Sequence, residues 1–281
     1  MSGLNEGDGA EVWAVPSIAR RMEEPFCGAD GHHADEPSPF VAGSRLGTLR
    51  AICGVKRLRP DAGRTGVSAM WKGPIEAPVA IDALGVRGDV QADREHHGGP
   101  EKAVYALAGA EVDHWASELG LDQPGMLGEN LVIDGDLDDL ELGARIRIEG
   151  VPGPAGEDRS VVLVAMSLRN PCGTLARGVG RDDFHFEFAA RNRVGILFAV
   201  EREGVIEAGA PIEVLSTPGH GVSARRWFAH HDPRDARAIL EREAAGALRI
   251  AEATRPYLLK AVAEAWSGPG PSPHCASFRV P

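Results

Sequence analysis

Cys172 is the residue of this sequence best suited to bind a soft metal ion. It lies in segment 167–173 (SLRNPCG), directly after an apolar run. A loop that follows a buried strand is where a rigid scaffold presents reactive groups. Arg169, three residues earlier, would lower the pKa of the thiol and favour the thiolate, the form that binds metals. The alternative is that Cys172 is a small buried apolar residue.

A second group combines two histidines, two glycines and a lysine: His96, His97, Gly98, Gly99 and Lys102. Paired glycines permit positive φ, so that backbone N–H groups face a ligand. The sequence predicts a helix that begins at Pro100, and an anion is favoured at a helix N-terminus, where Lys102 adds a full charge. This pattern predicts a phosphate site. The alternatives are an ordinary turn and histidines with a structural role.

A third group lies in segment 125–131 (GMLGENL), a turn that leads into a strand. Glu129 and Asn130 place a carboxylate and an amide at the mouth of this strand, where they could hydrogen-bond the ring nitrogens of a cofactor. The alternative is that both side chains serve only their own loop.

Several common site patterns are absent from the sequence. It contains no phosphate-binding P-loop, no GxGxxG after a strand, no GxSxG and no HExxH. Asp134, Asp136 and Asp138 resemble the start of a calcium loop, but the required glycine and final glutamate are replaced by Asp139 and Arg145.

The elements that must position these groups are mostly short strands. Apolar runs separated by Gly, Pro and Asp predict strands over 49–58, 79–84, 131–133, 145–149, 161–166, 195–200 and 212–215. One long helix is predicted from Pro100 to Leu119, because apolar residues recur there at helical spacing and Gly120 follows. A shorter helix is predicted around 182–191. The fold class is therefore mainly β.

The chain divides into four predicted regions. Residues 1–45 are rich in Gly, Pro, Glu and Asp and form a flexible extension, and 46–217 form the β-domain. Residues 218–267 form a three-helix C-terminal domain, in which Ser223 and Asp232 begin two of the helices. This domain is expected to cover an apolar face of the β-domain. Residues 268–281 are a disordered tail.

Composition limits the partners. The formal net charge is −11, which disfavours nucleic acid as a partner. No run approaches the roughly 18 apolar residues of a membrane helix, and the N-terminus lacks the pattern of a secretory signal. The four cysteines (Cys27, Cys53, Cys172 and Cys275) are dispersed, as is usual for reduced thiols in the cytoplasm. We expect a cytoplasmic protein.

The three groups, in their order and spacing, resemble the MOSC family, named after the C-terminal domain of molybdenum cofactor sulfurase. The segments that carry the resemblance are GDVQADREHHGGPEKAVY, GMLGENLVIDG, LELGARIRI and SLRNPCGTL. They are most similar to bacterial members associated with resistance to N-hydroxylated purines, which also carry a small three-helix C-terminal domain. The resemblance covers roughly residues 46–266.

The resemblance implies a β-barrel-like fold that accepts a molybdenum cofactor, with Cys172 as the protein ligand to molybdenum. It implies that His97, Gly98, Gly99, Lys102 and Arg169 contact the phosphate and pterin, and that Glu129 and Asn130 line the pocket. The implied reaction is reduction of small N-hydroxylated substrates such as hydroxylaminopurines and amidoximes. His97 or His96 would donate the proton, a separate reductase would supply electrons, and an oligomer is compatible with the pattern.

Two other functions fit the same residues. The chain could store or deliver the cofactor, or carry sulfur on Cys172, without turnover of its own. It could also be a β-domain interaction module in which Cys172 is structural.

Overall fold

A computed structural model describes residues 36–94 and 98–267, which belong to one compact unit. Its strands, in chain order, are β1 (Arg45–Val55), β2 (Arg59–Pro60), β3 (Val67–Ser68), β4 (Lys72–Pro74), β5 (Val79–Asp82), β6 (Gly85–Val86), β7 (Val104–Ala108), β8 (Leu131–Asp134), β9 (Arg145–Ile148), β10 (Val161–Leu168), β11 (Ile196–Arg202), β12 (Gly204–Ile206) and β13 (Pro211–Ser216). Its α-helices are α1 (Gly109–Leu119), α2 (Gly173–Val179), α3 (Phe184–Ala190), α4 (Ala224–His230), α5 (Pro233–Ala244) and α6 (Arg255–Ser267).

Seven strands close into a barrel in the order β1–β8–β7–β11–β10–β9–β13 and back to β1. All neighbouring pairs are antiparallel except β7 and β8, which run parallel. Closure depends on β1, which pairs with β13 near its start, with β8 through its middle and with β4 at its end. The prediction of a mainly β, barrel-like fold with inserted helices is confirmed.

Apolar side chains, most of them aliphatic, fill the barrel interior. Strand β10 shows the pattern: Val161, Leu163 and Ala165 belong to the interior cluster, together with Ile146 and Phe198 from the strands on either side. All five are almost completely buried. The interior is thus a packed core, as expected for a small barrel, and the functional site must lie outside the barrel wall.

A second apolar cluster covers the outside of β7 and β8. Tyr105 and Leu107 of β7 face away from the interior and pack with residues of α1, α2 and α3, among them Trp115, Phe184 and Phe188. The Trp115 and Phe184 rings meet edge to face, with centroids 4.8 Å apart. This outer layer supports the turn that carries Cys172, because Leu175 of α2 is one of its buried members.

The last three helices pack on the barrel, as predicted. Trp227, Ile239 and Leu258, one from each helix, belong to the same buried cluster as the barrel interior. The hydroxyl of Ser223 accepts the backbone N–H of Arg226, and the Asp232 carboxylate accepts that of Arg234. Both predicted N-caps are confirmed.

The predicted helix from Pro100 is wrong over its first half. Pro100–Lys102 is a single 3₁₀ turn, Val104–Ala108 is strand β7, and the α-helix spans only Gly109–Leu119. The physical reason is that all five residues of β7 are buried, between the barrel interior and the outer helices. A run that is apolar on every side has no period with which to separate helix from strand.

Some predictions fall outside the described residues. These are the state of residues 1–35 and 268–281 and the placement of His96 and His97. In the part of the chain that is described, no helix is long and apolar enough to cross a membrane.

Candidate functional site

Cys172 lies in the short segment between the end of strand β10 at Leu168 and the start of helix α2 at Gly173. Its backbone is extended (φ −139°, ψ 172°), and the helix begins at the next residue. Its carbonyl accepts the N–H of Leu175 at 2.9 Å, which fixes the turn, and its side chain is half-buried. Cys53, by contrast, is buried in the wall, and that burial raises the pKa of its thiol to about 12.

Arg169 holds the neighbouring loop onto the end of β10. Its guanidinium donates to the carbonyl of Leu127 at 2.6 Å and to the hydroxyl of Tyr105 at 3.3 Å. It also lies over the Tyr105 ring, 4.8 Å from the centroid. Arg169 therefore fixes the position of the 125–130 loop relative to the Cys172 turn; its predicted contact with a cofactor stays a prediction.

Arg177 is the functional candidate that the sequence analysis missed. Its guanidinium makes a two-pronged ion pair with Asp61, at 2.7 and 2.8 Å. One nitrogen lies 3.0 Å from where a Cβ on Gly173 would stand. Asp61 raises the pKa of Arg177, and a thiolate at Cys172 contributes further. The available signal was spacing: Arg177 follows Gly173 by one helical turn, but no helix was predicted at 173–179.

The Asp61–Arg177 ion pair closes one side of a small pocket beside this helix. The pocket has a volume of about 50 Å³. Its lining residues are Arg59, Asp61, Ser68, Met70, Trp71, Met126, Arg177 and Gly178. The β2–β3 hairpin, the segment that follows it, the 125–130 loop and helix α2 thus meet at one place.

Glu129 serves its own loop. One carboxylate oxygen accepts the N–H of Gly125 at 2.5 Å and the other accepts that of Leu127 at 3.1 Å. The side chain is fully buried, and this burial raises the pKa of its carboxyl. These bonds favour the alternative of a loop-forming role and make Glu129 a support for Met126 rather than a pocket residue.

Asn130 belongs to a buried polar network behind the site. Its amide oxygen accepts the N–H of Tyr105, and its amide nitrogen donates to the carboxylate of Asp89 at 2.8 Å. Lys72 forms an ion pair with the same oxygen of Asp89 at 2.7 Å, and both charged side chains are nearly inaccessible to solvent. The network ties the start of β8 to segment 87–94, which leads into the predicted phosphate site.

The predicted phosphate site is only partly available to a ligand. Gly99 has φ 87°, as a turn glycine requires, but its N–H donates to the side-chain oxygen of Gln91 at 2.9 Å. A single 3₁₀ turn follows in place of an α-helix. Lys102 is half-buried, and desolvation lowers the pKa of its amine while Glu101 and Asp93 oppose that effect.

The β2–β3 hairpin links two of the three predicted groups. Asp61 binds Arg177 on the Cys172 side, and Arg64 forms an ion pair with Asp93 at 2.9 Å on the Lys102 side. The sequence analysis singled out no residue of this hairpin.

The residues around Cys172 fit a cofactor that combines a soft metal with an anionic group. A thiolate is a soft ligand, and guanidinium groups suit phosphate. Arg59 and Arg177 line the pocket beside α2, where Arg177 also pairs with Asp61. A pocket of about 50 Å³ is smaller than sites that enclose whole organic ligands, at roughly 300–1,000 Å³. Enclosing a whole cofactor would therefore require the segments around the pocket, the hairpin among them, to move apart.

Part of the chain matches a known domain family, and two known bacterial proteins are similar to it in sequence. A model of the MOSC domain matches residues 93–213. The protein YflK of Bacillus subtilis is 30% identical over 178 residues, which cover 61% of this chain and 75% of YflK. The protein YiiM of Escherichia coli is 28% identical over 154 residues, which cover 53% of this chain and 64% of YiiM.

Solved structures support the same fold. YiiM from Geobacillus stearothermophilus superimposes with a TM-score of 0.55 at 22% identity, covering 76% of this chain and 98% of that one. A hypothetical protein superimposes with a TM-score of 0.57 at 21% identity, covering 79% of this chain and 91% of that one.

Proposed function

Because this chain belongs to the MOSC-domain family, we propose that it is a molybdenum-cofactor-dependent reductase of small N-hydroxylated substrates. Hydroxylaminopurines and amidoximes are the substrate classes. The proposal includes a separate reductase as electron donor and a cytoplasmic location.

The observation that carries the proposal is the setting of Cys172. Its half-buried thiol stands at the start of α2, on the helix that lines the pocket through Arg177 and Gly178. Such a position suits a metal ligand, since the thiol is accessible yet held on a fixed turn. A cysteine with only a packing role would more often be fully buried, as Cys53 is.

In this proposal Cys172 holds the metal, and Arg59, Arg177 and Lys102 offer positive charge to the anionic part of the cofactor. Gly98 and Gly99 permit close approach of its phosphate. Arg169 and Glu129 fix the 125–130 loop that forms one wall, and Asn130 fixes the start of β8 behind it. The bound cofactor supplies the two-electron chemistry that the polypeptide lacks.

The overall reaction is balanced by two electrons and two protons: R–NH–OH becomes R–NH₂ and water. The chain's own part is to orient the N–OH group, to exclude bulk water and to deliver a proton to the departing hydroxyl. His97 or His96 is the proposed proton donor, because imidazole can transfer a proton near neutral pH.

The test is molybdenum content of protein made in a host that synthesises the cofactor. Wild type, Cys172→Ala and the control Cys53→Ala are assayed for metal and for reduction of 6-hydroxylaminopurine with a chemical electron donor. We expect nearly one metal per chain and turnover in the wild type and the control, and loss of both in Cys172→Ala.

Two other results would overturn the proposal. Metal that binds through Cys172 without turnover on any N-hydroxylated substrate would indicate a cofactor or sulfur carrier. No metal in any variant, from a host with proven cofactor supply, would leave the interaction module as the remaining function.

A further inference from the structure

Glu101 ties the turn that carries Lys102 to the C-terminal helices. One oxygen of its carboxylate accepts the backbone N–H of Glu252 at 3.0 Å, and the other forms an ion pair with Arg249 at 2.9 Å. Both partners lie in the loop between α5 and α6, residues 245–254. The ion pair contributes little by itself, because solvent screens Arg249, which is 68% exposed. The hydrogen bond from the backbone therefore fixes the geometry of the contact.

The 245–254 loop is a firm support for this contact. Ile250 is buried and belongs to the same apolar cluster as the barrel interior. Glu243, near the end of α5, accepts the N–H of Ile250 at 3.1 Å and forms an ion pair with Arg255 at the start of α6. Leu248 packs so closely on the barrel that a Cβ on Gly143 would stand 2.6 Å from its own Cβ. A group that binds this loop is therefore restrained against the whole barrel.

The backbone of the turn is held at a second place by Gln91. The side-chain oxygen of Gln91 accepts the N–H of Gly99 at 2.9 Å, and its nitrogen lies 3.5 Å from the carbonyl oxygens of Lys102 and Ala103. The N–H of Lys102 donates to the carbonyl of Gly99 at 3.0 Å, which closes the turn. Gln91 and Glu101 thus restrain the same few residues from different parts of the chain.

A restraint on this turn acts directly on Lys102. Glu101 precedes Lys102 in the 3₁₀ turn Pro100–Lys102, and the fully buried strand β7 begins two residues later. On the other side of the turn Gly99 has φ 87°, and glycine allows the chain many conformations there. The turn is therefore a short segment between a flexible glycine and a rigid strand, and the contacts of Glu101 limit how far it can rotate.

We propose that Glu101 is a positioning residue through which the C-terminal domain sets the place of Lys102. The 245–254 loop holds the carboxylate, the carboxylate holds the turn, and the turn presents the Lys102 amine to the anionic part of the cofactor. The inference rests on the proposed function, in which Lys102 meets that anion. It gives the C-terminal helices a part in the site beyond covering the barrel.

Hydrogen exchange of the cofactor-free chain tests the link. Mass spectrometry follows peptides that span residues 98–103 in wild type, Glu101→Ala and Glu101→Gln. Loss of one ordinary hydrogen bond predicts about fivefold faster exchange in Glu101→Ala. Glu101→Gln should exchange less than about twofold faster, because its amide oxygen still accepts the N–H of Glu252. Peptides from strand β9 should keep the wild-type rate in every variant.

The matched control is Glu252→Gln, which removes a carboxylate from the same loop and keeps the backbone N–H that Glu101 accepts. Its exchange should equal that of wild type. The two Glu101 variants also separate position from charge. Desolvation lowers the pKa of Lys102 and the Glu101 carboxylate opposes that shift, an effect that both variants remove alike. Equal exchange of residues 98–103 in wild type and Glu101→Ala, or equal acceleration in Glu101→Ala and Glu101→Gln, would overturn the proposal.

The second test uses chain made in a host that synthesises the cofactor and measures how fast molybdenum is lost during dialysis. If Glu101 acts through Lys102, Glu101→Ala speeds the loss several-fold in the wild-type background and has no further effect in Lys102→Met. Additive effects, or no effect of Lys102→Met, would overturn the positioning role. The expected change in exchange in a chain that takes up no molybdenum would instead overturn the proposed function and leave the link between the C-terminal domain and the turn standing.

Discussion

Charged side chains near Cys172 divide into those that hold loops and those that line the pocket. Arg169 and Glu129 form hydrogen bonds with backbone groups of the 125–130 loop. Arg59 and Arg177 line the pocket. The difference matters for mutagenesis, since loss of a loop-holding residue will perturb stability. Loss of Arg177 would also release the hairpin, because Arg177 pairs with Asp61.

Asp138 is a buried carboxylate with one oxygen that lacks a hydrogen-bond partner. It is 1% exposed; one oxygen accepts the N–H of Gly195, and the other has no hydrogen-bond partner. Burial raises the pKa of its carboxyl to about 7, with Arg193 opposing and Glu111 and Asp139 adding to the shift. The folded chain therefore retains a proton that the unfolded chain releases near pH 4.

We predict that Asp138→Asn becomes increasingly favourable as the pH rises. A group with a raised folded pKa stabilises fully below its unfolded pKa, and that stability is lost as the pH climbs toward about 7. The slope is at most about 1.4 kcal/mol per pH unit. Denaturant unfolding at pH 5 to 8 should show the free energy of unfolding of Asp138→Asn gaining about 2 kcal/mol on wild type.

The control for this prediction is Asp182→Asn, at an exposed aspartate. The same measurement on this variant shows how much of the pH dependence follows from removing an aspartate at the surface. A pH-independent difference for Asp138→Asn would mean that the Asp138 carboxyl titrates as it does in the unfolded chain.

At the scale of elements, alternation and capping residues made much of the fold predictable, and burial on two sides limited the rest. Strand β9 alternates Arg145, Ile146, Arg147 and Ile148 and was predicted within one residue. The caps at Ser223 and Asp232 located α4 and α5. Strand β7 was mistaken for a helix, because buried residues on both faces leave no polar stripe.

The candidate site was also only partly predictable from the sequence. Cys172 and the 125–130 loop were found from residue type, since thiols, glycines and carboxylates have distinctive chemistry. Arg59, Arg177 and Trp71 were not, because their roles depend on the hairpin folding back over a helix that sequence patterns did not reveal. Helix α2 has only seven residues, and two of them, Gly173 and Gly178, are glycines. Such a segment gives a weak helical signal.

The connection between β13 and α4 is held by one buried carboxylate. Glu141 accepts the backbone N–H groups of Gly219 and His220 on one oxygen and that of Gly221 on the other, at 2.7, 3.1 and 2.9 Å. Three donors converge on a side chain that is 4% exposed. The C-terminal helices thus take their starting position from this loop.

We predict that Glu141→Gln lowers the free energy of unfolding by about 2–3 kcal/mol. The amide NH₂ of glutamine cannot accept a hydrogen bond, so at least one buried N–H loses its partner. Chemical denaturation measures the change, with Glu207→Gln, at an exposed glutamate, as the matched control. Equal stability of the two variants would show that the 219–221 loop does not depend on this charge.

At the scale of the whole molecule, the packed barrel interior stabilises the fold, whereas the candidate site lies outside the barrel wall. Interior residues such as Leu163 and Phe198 are completely buried and leave the site to segments outside the wall. The chain carries a net charge of −11, yet the pocket lining includes two guanidinium groups, those of Arg59 and Arg177, and a single carboxylate, that of Asp61. A negatively charged cofactor would be drawn to this one region of an acidic protein.

We expect the β2–β3 hairpin to limit access to Cys172, and a chemical reagent can test this. We predict that Asp61→Asn speeds alkylation of Cys172 by iodoacetamide about two- to fivefold, as expected when a partly exposed ion pair worth roughly 0.5–1 kcal/mol is lost. The rate is followed by peptide mass spectrometry at a pH where the thiol is fully ionised. Asp82→Asn removes a longer, more exposed contact with Arg87 and should leave the rate unchanged; an equal rate for both variants would show that the hairpin does not limit access.

Two ion pairs hold the β2–β3 hairpin in place, Asp61 with Arg177 and Arg64 with Asp93. They lower the affinity for any ligand whose binding requires the hairpin to open. If only a small fraction of molecules is open, the apparent dissociation constant is the intrinsic one divided by that fraction. Salt weakens exposed ion pairs, so ionic strength would set the open fraction. Salt would then act on cofactor affinity in two opposed ways, because it frees the hairpin but also screens the attraction between an anionic cofactor and the pocket arginines.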